Sequence, residues 1–323
     1  MKTTKKFRFW KVVRNIFLAI VTVVVIGIIF SNVMTAYEQK KYPAIGELVE
    51  VDGKNMHVYT KGEGDNTIVL LSGLATPAPA LDFEPLVNEL SKTNKVVVVE
   101  PFGYGWSDIT EKERSVENII EETRTALQQS NIEGPYILMP HSISGIYSLY
   151  YANLYPDEVK AIIGIDSTLP QMTEYFGESI FTTAPKFVSY MAPAGIIRLN
   201  VFQKPSDFLP HAEKGTYTKE NQVMTKAISA WKANNKDVIN EVNEVKNNIT
   251  KTKNMTFPSD LPVMIFTPKE DNFMGKSKID FYKTQLQNVK VNELVVLEGE
   301  HYLHWEQYRE MSKKVDEFTE KMK

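Results

Sequence analysis

The stretch Pro140-His141-Ser142-Ile143-Ser144-Gly145 decides how this chain is read. An apolar run, Tyr136-Ile137-Leu138-Met139, precedes it, and Ile146-Tyr147-Ser148-Leu149-Tyr150-Tyr151-Ala152 follows with helical spacing and no breaker. A buried strand therefore passes into a helix through a turn that carries a serine. That is the setting of a nucleophile elbow, whose sharp turn lifts a hydroxyl clear of a sheet and whose usual form is G-x-S-x-G. Here Pro140 and Ser144 occupy the outer positions. Ser144 and Gly145 are small enough for a helix passing close to the strand, whereas Pro140 brings no N–H to a central strand. A turn in which the serine only caps the helix accounts for the hexapeptide equally well. The decision lies in the rest of the chain.

The chain has 323 residues, 43% of them hydrophobic and 24% charged, which is an ordinary globular composition with room for one large α/β domain and an insertion. A net charge of −3 gives no reason to expect a nucleic-acid partner. The absence of cysteine excludes a disulfide framework, thiol catalysis and zinc–thiolate sites.

From Ile16 to Met34 only Thr22, Ser31 and Asn32 interrupt an apolar run, which is long enough to span a bilayer at about 20 residues. Lys2, Lys5, Lys6, Arg8, Lys11 and Arg14 precede it, and Lys40 and Lys41 follow. That bias puts residues 1–15 in the cytoplasm and the bulk of the chain outside it. A cleaved signal peptide is the rival reading, but its apolar core is usually about 7–15 residues. A connector, 35–45, then holds the globular part close to the membrane.

Asp52-Gly53-Lys54-Asn55 between two short apolar segments signals a hairpin. Thr67–Leu71, Lys95–Val99, Tyr136–Met139 and Val159–Ile165 read as buried strands. Helical patterns at Leu81–Leu90 and Ser115–Gln129 alternate with them, which predicts a mostly parallel sheet covered on both faces. The alternation stops at residue 169. Val238, Val242, Val245 and Ile249 recur at helical spacing, so 169–257 is expected to be a helical insertion. Its first part carries Met172, Tyr175, Phe176, Phe181, Phe187, Tyr190 and Met191, as packing or as the lining of an apolar pocket. Strands at Val263–Thr267 and Leu294–Leu297 resume the α/β pattern to the end.

A serine hydroxyl needs a base, an acid to orient that base, and donors for an oxyanion. In open α/β sheets such groups gather at the carboxyl ends of strands. Ser142, Asp271 and His301 each follow a strand, in the order Ser…Asp…His. Asp166 also ends a strand and is the second candidate for the acid; Glu270 adjoins Asp271. Ser144 as nucleophile would leave Ile146 where a small residue is needed. His304 is expected to pack or cap, and His57 and His211 have no metal-ligand spacing. Gly103-x-Gly105 lacks the third glycine of a dinucleotide site. Asn248 and Asn254 sit in glycosylation-type triplets.

The ordered set resembles the α/β-hydrolase superfamily over roughly residues 46–320. Ser72-Gly73-Leu74 resembles its oxyanion loop, with Ser72 in place of histidine. Gly103-Tyr104-Gly105-Trp106-Ser107-Asp108 resembles its G-x-G-x-S-D turn, Tyr155-Pro156-Asp157-Glu158-Val159 its Y-P-x-x-V segment, and Gly299-Glu300-His301 its G-x-H. The resemblance implies a hydrolase core of 46–168 and 258–323 with 169–257 as its cap. It implies Ser142 as nucleophile, His301 as base, Asp271 as acid and the N–H groups of Ile143 and Leu74 as the oxyanion hole. No cofactor or metal is expected. A serine at the elbow argues against the branches that use aspartate there for dehalogenation or epoxide opening. The expected activity is hydrolysis of a carboxylic ester, a small-molecule substrate of apolar character, with amide or peptide hydrolysis or acyl transfer as alternatives. A binding protein with degraded catalysis is the reading from another class, supported by Pro140 and Ser72.

Overall fold

The computed structural model describes residues 2–177, 183–269, 272–273 and 275–322. Asp271, Glu270 and Phe181 fall outside the described residues.

A helix α1, Lys2–Lys41, opens the chain. Strands β1 (Glu47–Val51) and β2 (Lys54–Lys61) form the hairpin expected around Gly53. Then follow β3 (Thr67–Leu71), α2 (Pro79–Asp82), α3 (Glu84–Leu90), β4 (Lys95–Glu100), α4 (Val116–Gln129), β5 (Tyr136–Pro140), α5 (Ser144–Leu154) and β6 (Val159–Ile165). Between β6 and the next sheet strand the regular elements among the described residues are all helical: α6 (Met172–Phe176), α7 (Ile196–Gln203), α8 (Lys219–Lys232), α9 (Lys236–Thr252) and short 3₁₀ turns. The fold closes with β7 (Val263–Pro268), a small hairpin β8 (Asn272–Phe273) and β9 (Lys276–Ser277), α10 (Lys278–Leu286), β10 (Asn292–Leu297) and α11 (Tyr308–Lys321).

The main sheet has eight strands in the order β1-β2-β4-β3-β5-β6-β7-β10. Only β2 runs antiparallel to its neighbours; the pairs from β4 to β10 are parallel. Side chains alternate between two cores, as the two-residue period of a strand requires. Val69, Leu71, Val97, Val99 and Leu138 face α4, α5 and α10. Ile68, Leu70, Val96, Val98, Ile137 and Met139 face α3 and α11.

Two local readings need refinement. The helix expected over Leu81–Leu90 is broken at Phe83, because Pro85 has no N–H for the Leu81 carbonyl and sits instead near the start of α3. Pro140 does lie in a central strand, but at its last position. There the N–H of the next residue, His141, takes up the Leu71 carbonyl at 2.8 Å, so the strand ends without a gap in its pairing.

Candidate active site

Ser142 caps the end of β5 with φ +53°, a left-handed conformation that serine adopts only under constraint. Its carbonyl accepts the N–H of Gly145 at 3.0 Å and of Thr168 at 2.8 Å, which locks the turn between β5 and α5. A Cβ on Gly145 would lie 2.5 Å from the Thr168 carbonyl, so glycine is required there for α5 to pass β6. Ser144 serves a different end: its hydroxyl donates to the Ser72 carbonyl at 2.5 Å and ties the elbow to the loop after β3.

The structure brings Ser142 and His301 together. His301 Nε2 lies 2.9 Å from Ser142 Oγ, and His301 Nδ1 lies 2.5 Å from Asp166 Oδ2. Among the described residues the carboxylate on the histidine is therefore Asp166, at the end of β6 and the second candidate for the acid; Asp271 lies outside them. The sheet order explains the place of Asp166. Strand β6 lies next to β5, so the residue just past its end sits beside the elbow. Asp166 itself has φ +41°, and its N–H donates to the Phe266 carbonyl at 2.8 Å.

Asp166 is 1% exposed and has two further partners. Lys278 Nζ, at the start of α10, lies 2.7 Å from it, and the Tyr282 hydroxyl approaches Oδ1 at 3.3 Å. Burial pushes the Asp166 carboxyl up, but the hydrogen bond from His301 and the Lys278 charge outweigh it and hold the group below its ordinary value. The site thus carries a fixed anion behind the histidine and a cation behind the anion.

His141, directly before the serine, is fully buried against the rings of His301, Tyr302 and His304 at centroid distances of 4.7, 4.8 and 4.9 Å. Its Nε2 donates to the His301 carbonyl at 3.2 Å, which holds the histidine loop over the elbow. Burial, reinforced by its histidine neighbours, pushes this imidazole well below the usual histidine range and keeps it neutral. A Cβ on Gly73 would lie 2.7 Å from His141 Nδ1 and 3.2 Å from Ser142 Cβ. Glycine there lets the backbone before Leu74 approach the serine. Neither the Leu74 N–H nor the Ile143 N–H has a hydrogen-bond partner among the described residues.

Contacts with Tyr104 and Glu241 fix that loop. The Ala75 N–H donates to the Tyr104 hydroxyl at 3.1 Å, and the hydroxyl donates to Glu241 Oε2 at 2.7 Å. Tyr147 donates to the other oxygen of Glu241 at 2.8 Å. Glu241 comes from α9, so the helical insertion holds the loop through a buried carboxylate. Burial raises the Glu241 carboxyl above its ordinary range, against the opposing pull of Arg114 and the two tyrosines.

The other candidates are structural. His57 Nδ1 pairs with Glu100 Oε2 at 2.9 Å while its Nε2 accepts the Gly46 N–H, both residues fully buried. His304 Nε2 pairs with Asp82 at 2.7 Å. His211 stands against the Trp305 ring at 6.0 Å. The Asn248 side chain is buried and bonded to the backbone of Arg114 and Val116, so it is closed to glycosylation. Tyr175 and Phe176 pack on Phe281, whereas Phe187 and Tyr190 are exposed. The roles of Lys278, His141, Tyr104 and Glu241 escaped the sequence reading; of these His141 and Tyr104 lay in recognised motifs.

Residues 66–308 match the model of the alpha/beta hydrolase fold family. The chain belongs to that family. Uncharacterized protein YbdG of Bacillus subtilis is 30% identical over 97% of this chain and 99% of its own length. A cis-3-alkyl-4-alkyloxetan-2-one decarboxylase of Shewanella oneidensis is 24% identical over 35% of each chain. The fold is similar to that of epoxide hydrolase VrEH1 from Vigna radiata, with a TM-score of 0.65, 20% identity, and 85% of this chain and 97% of that one covered. In this member of the family Ser142 lies at the carboxyl edge of the sheet, within hydrogen-bond distance of His301, which in turn meets Asp166.

Proposed function

We propose that this alpha/beta hydrolase is a membrane-anchored serine hydrolase that cleaves carboxylic esters through an acyl-enzyme. The observation that carries the reading is the chain of contacts Ser142 Oγ, His301 Nε2, His301 Nδ1, Asp166 Oδ2, at 2.9 and 2.5 Å. Ser142 attacks the acyl carbon while His301 takes the hydroxyl proton. Asp166 holds the tautomer with Nδ1 protonated and stabilises the imidazolium. The tetrahedral oxyanion is held by the N–H groups of Ile143 and Leu74, each such donor being worth about 3–4 kcal/mol in comparable sites. His301 then protonates the departing alcohol and activates the water that releases the acid.

The serine sets this chemistry apart from that named for the epoxide hydrolase of similar fold. An aspartate nucleophile is already an anion and needs no base to be activated; a serine does, and His301 is within hydrogen-bond distance. The full set also favours catalysis over a binding protein with a degraded site, because Pro140 and Ser72 are accommodated without loss of the serine–histidine contact. No metal or cofactor takes part in this scheme.

The anchor is α1. It is the one helix among the described residues long and apolar enough to cross a membrane, with an apolar window of mean hydropathy 2.7. Its lysine-rich start favours a cytoplasmic N-terminus and an extracytoplasmic catalytic domain. The full chain in vesicles should hydrolyse p-nitrophenyl acetate or butyrate, and Ser142→Ala should lower kcat by several orders of magnitude, about 10⁶-fold where a triad serine is removed. Equal rates in the two proteins would overturn the reading; turnover of the matching anilides but not the esters would move it to amide hydrolysis.

A further inference from the structure

The N-terminal helix does not stand clear of the domain. Gly27, within the apolar run, packs so closely on the insertion that a Cβ there would lie 3.3 Å from the Ala194 carbonyl, and a Cβ on Gly195 would lie 3.0 Å from the Gly27 carbonyl. Ser31 is 3% exposed in the same contact. Further along α1, Glu38 accepts from Arg198 Nη1 at 2.7 Å and from Trp231 Nε1 at 2.7 Å, and Thr35 accepts from Arg198 Nη2 at 2.9 Å. Helix α7 therefore begins beside Gly27, seven residues before the apolar run ends at Met34. At 1.5 Å per residue that is about 10 Å below the end of the run.

The outward side of α7 is apolar. Ile196, Leu199 and Phe202 are 43%, 53% and 84% exposed, at i, i+3 and i+6. Arg198, the charged residue among them, sends its guanidinium up α1 to Thr35 and Glu38 rather than outward, the way a long cationic side chain snorkels. Between α1, α7 and α8 lies a cavity of about 940 Å³, lined by Val24, Phe30, Met34, Leu199, Val223 and Ala227 among others. Lys226 stands at this lining with no hydrogen bond or ion pair among the described residues.

We propose that α7 and the adjoining face of α8 are immersed in the outer leaflet, and that the cavity against α1 is filled by an acyl chain of a bilayer phospholipid. The proposal rests on α1 being the membrane anchor. A helix fixed to the span below its end cannot leave the hydrocarbon while α1 stays in it. Its exposed Leu199 and Phe202 then face lipid instead of water, at no hydrophobic cost. The cavity wall contributed by α1 is continuous with the lipid-facing surface of the span, so the nearest filler is a lipid tail. Lys226 supplies a cation for its phosphate. The insertion would thereby hold the catalytic domain at a fixed height and tilt above the membrane.

The natural lack of cysteine makes the test direct. Single variants Ile20→Cys, Leu199→Cys, Phe202→Cys, Val223→Cys and Glu298→Cys of the full chain carry a nitroxide in phosphatidylcholine–phosphatidylglycerol vesicles. Collision with oxygen, which dissolves in lipid, is compared with collision with a water-soluble nickel chelate. Positions 199, 202 and 223 should shift to oxygen-dominated collision as position 20 does, and position 298 should remain nickel-accessible. Nickel-dominated collision at 199 and 202, with position 20 still in lipid, would overturn the immersed helix and leave the anchor intact. The same result at 223 alone would overturn the lipid-filled cavity. Nickel access at position 20 would overturn the anchor and the inference together. Fluorophosphonate labelling of each sample, which reads the serine site separately, keeps a failure of the hydrolase reading distinct from all of these.

Discussion

Asp166 Oδ2 lies 2.5 Å from His301 Nδ1, and the same carboxylate lies 2.7 Å from Lys278 Nζ. One buried anion therefore answers both to the histidine of the loop after β10 and to a lysine of α10. Both contacts bear on how the histidine works.

Asp166→Asn should leave the fold intact but favour the wrong tautomer of His301. A fall in kcat of about 10⁴-fold is the scale seen when the acid of such a triad is neutralised. Asp271→Asn should leave kcat close to that of the unaltered chain. Ester turnover by the two variants checks this, and the reverse order would return the acid's role to Asp271.

Lys278→Met should change the pH profile more than the maximal rate. The ammonium offsets part of the Asp166 charge that favours imidazolium. Without it, the Asp166 carboxylate loses one of the groups that hold it below its ordinary value, so its protonation begins at a higher pH. The acidic limb of kcat/KM should move to higher pH. An unmoved limb would show that Lys278 acts on packing alone.

Tyr104→Phe should cost stability and rate together. The variant leaves the Ala75 N–H and Glu241 Oε2 without their buried partner. The expected loss is about 1–3 kcal/mol in urea unfolding. Because Ala75 follows Leu74, kcat should fall with KM little changed. A drop in stability with no change in kcat would separate the Tyr104–Glu241 contact from the loop's position.

Lys232 gives a pH dependence of folding. Burial, against the pull of Glu100, Asp108 and Asp237, lowers this ammonium from 10.5 to about 8, while its Nζ donates to the Ser107 carbonyl. Between those values the unfolded chain binds more protons than the folded one, so stability rises with pH across that window. The cost of burying the charge is present in full below the lower value and is gone above the higher one. The melting temperature of the unaltered chain should therefore rise relative to Lys232→Met on going from pH 8 to 10. Parallel curves would contradict this account of Lys232.

What the sequence made legible follows the range of the interactions. Alternating strands and helices, the hairpin at Gly53 and the helical run after residue 169 are local patterns, and each appears in the fold. The strand-end positions of Ser142 and His301 could be read because a parallel sheet carries all its strand ends to one edge. The contact of Asp166 with His301 could not, since Asp166 and Asp271 both follow strands and only the side-by-side placement of β5 and β6 brings Asp166 beside the elbow. Contacts across great chain distance left no trace either. Tyr104 meets Glu241 from 137 residues away, and Trp231 meets Glu38 from 193. The doubt over Pro140 was a matter of position, harmless at a strand's last residue. Tyr175 and Phe176, candidate pocket lining by composition, instead pack the insertion onto α10 through Phe281.

The most direct test of the central claim is the site of covalent capture. The full chain in vesicles is treated with a fluorophosphonate, digested, and the modified peptide sequenced by mass spectrometry. The account predicts a single adduct on Ser142, lost in Ser142→Ala and strongly slowed in Asp166→Asn. An adduct on Ser144 or elsewhere, or labelling of Ser142 that proceeds undiminished without the Asp166 carboxylate, would contradict it.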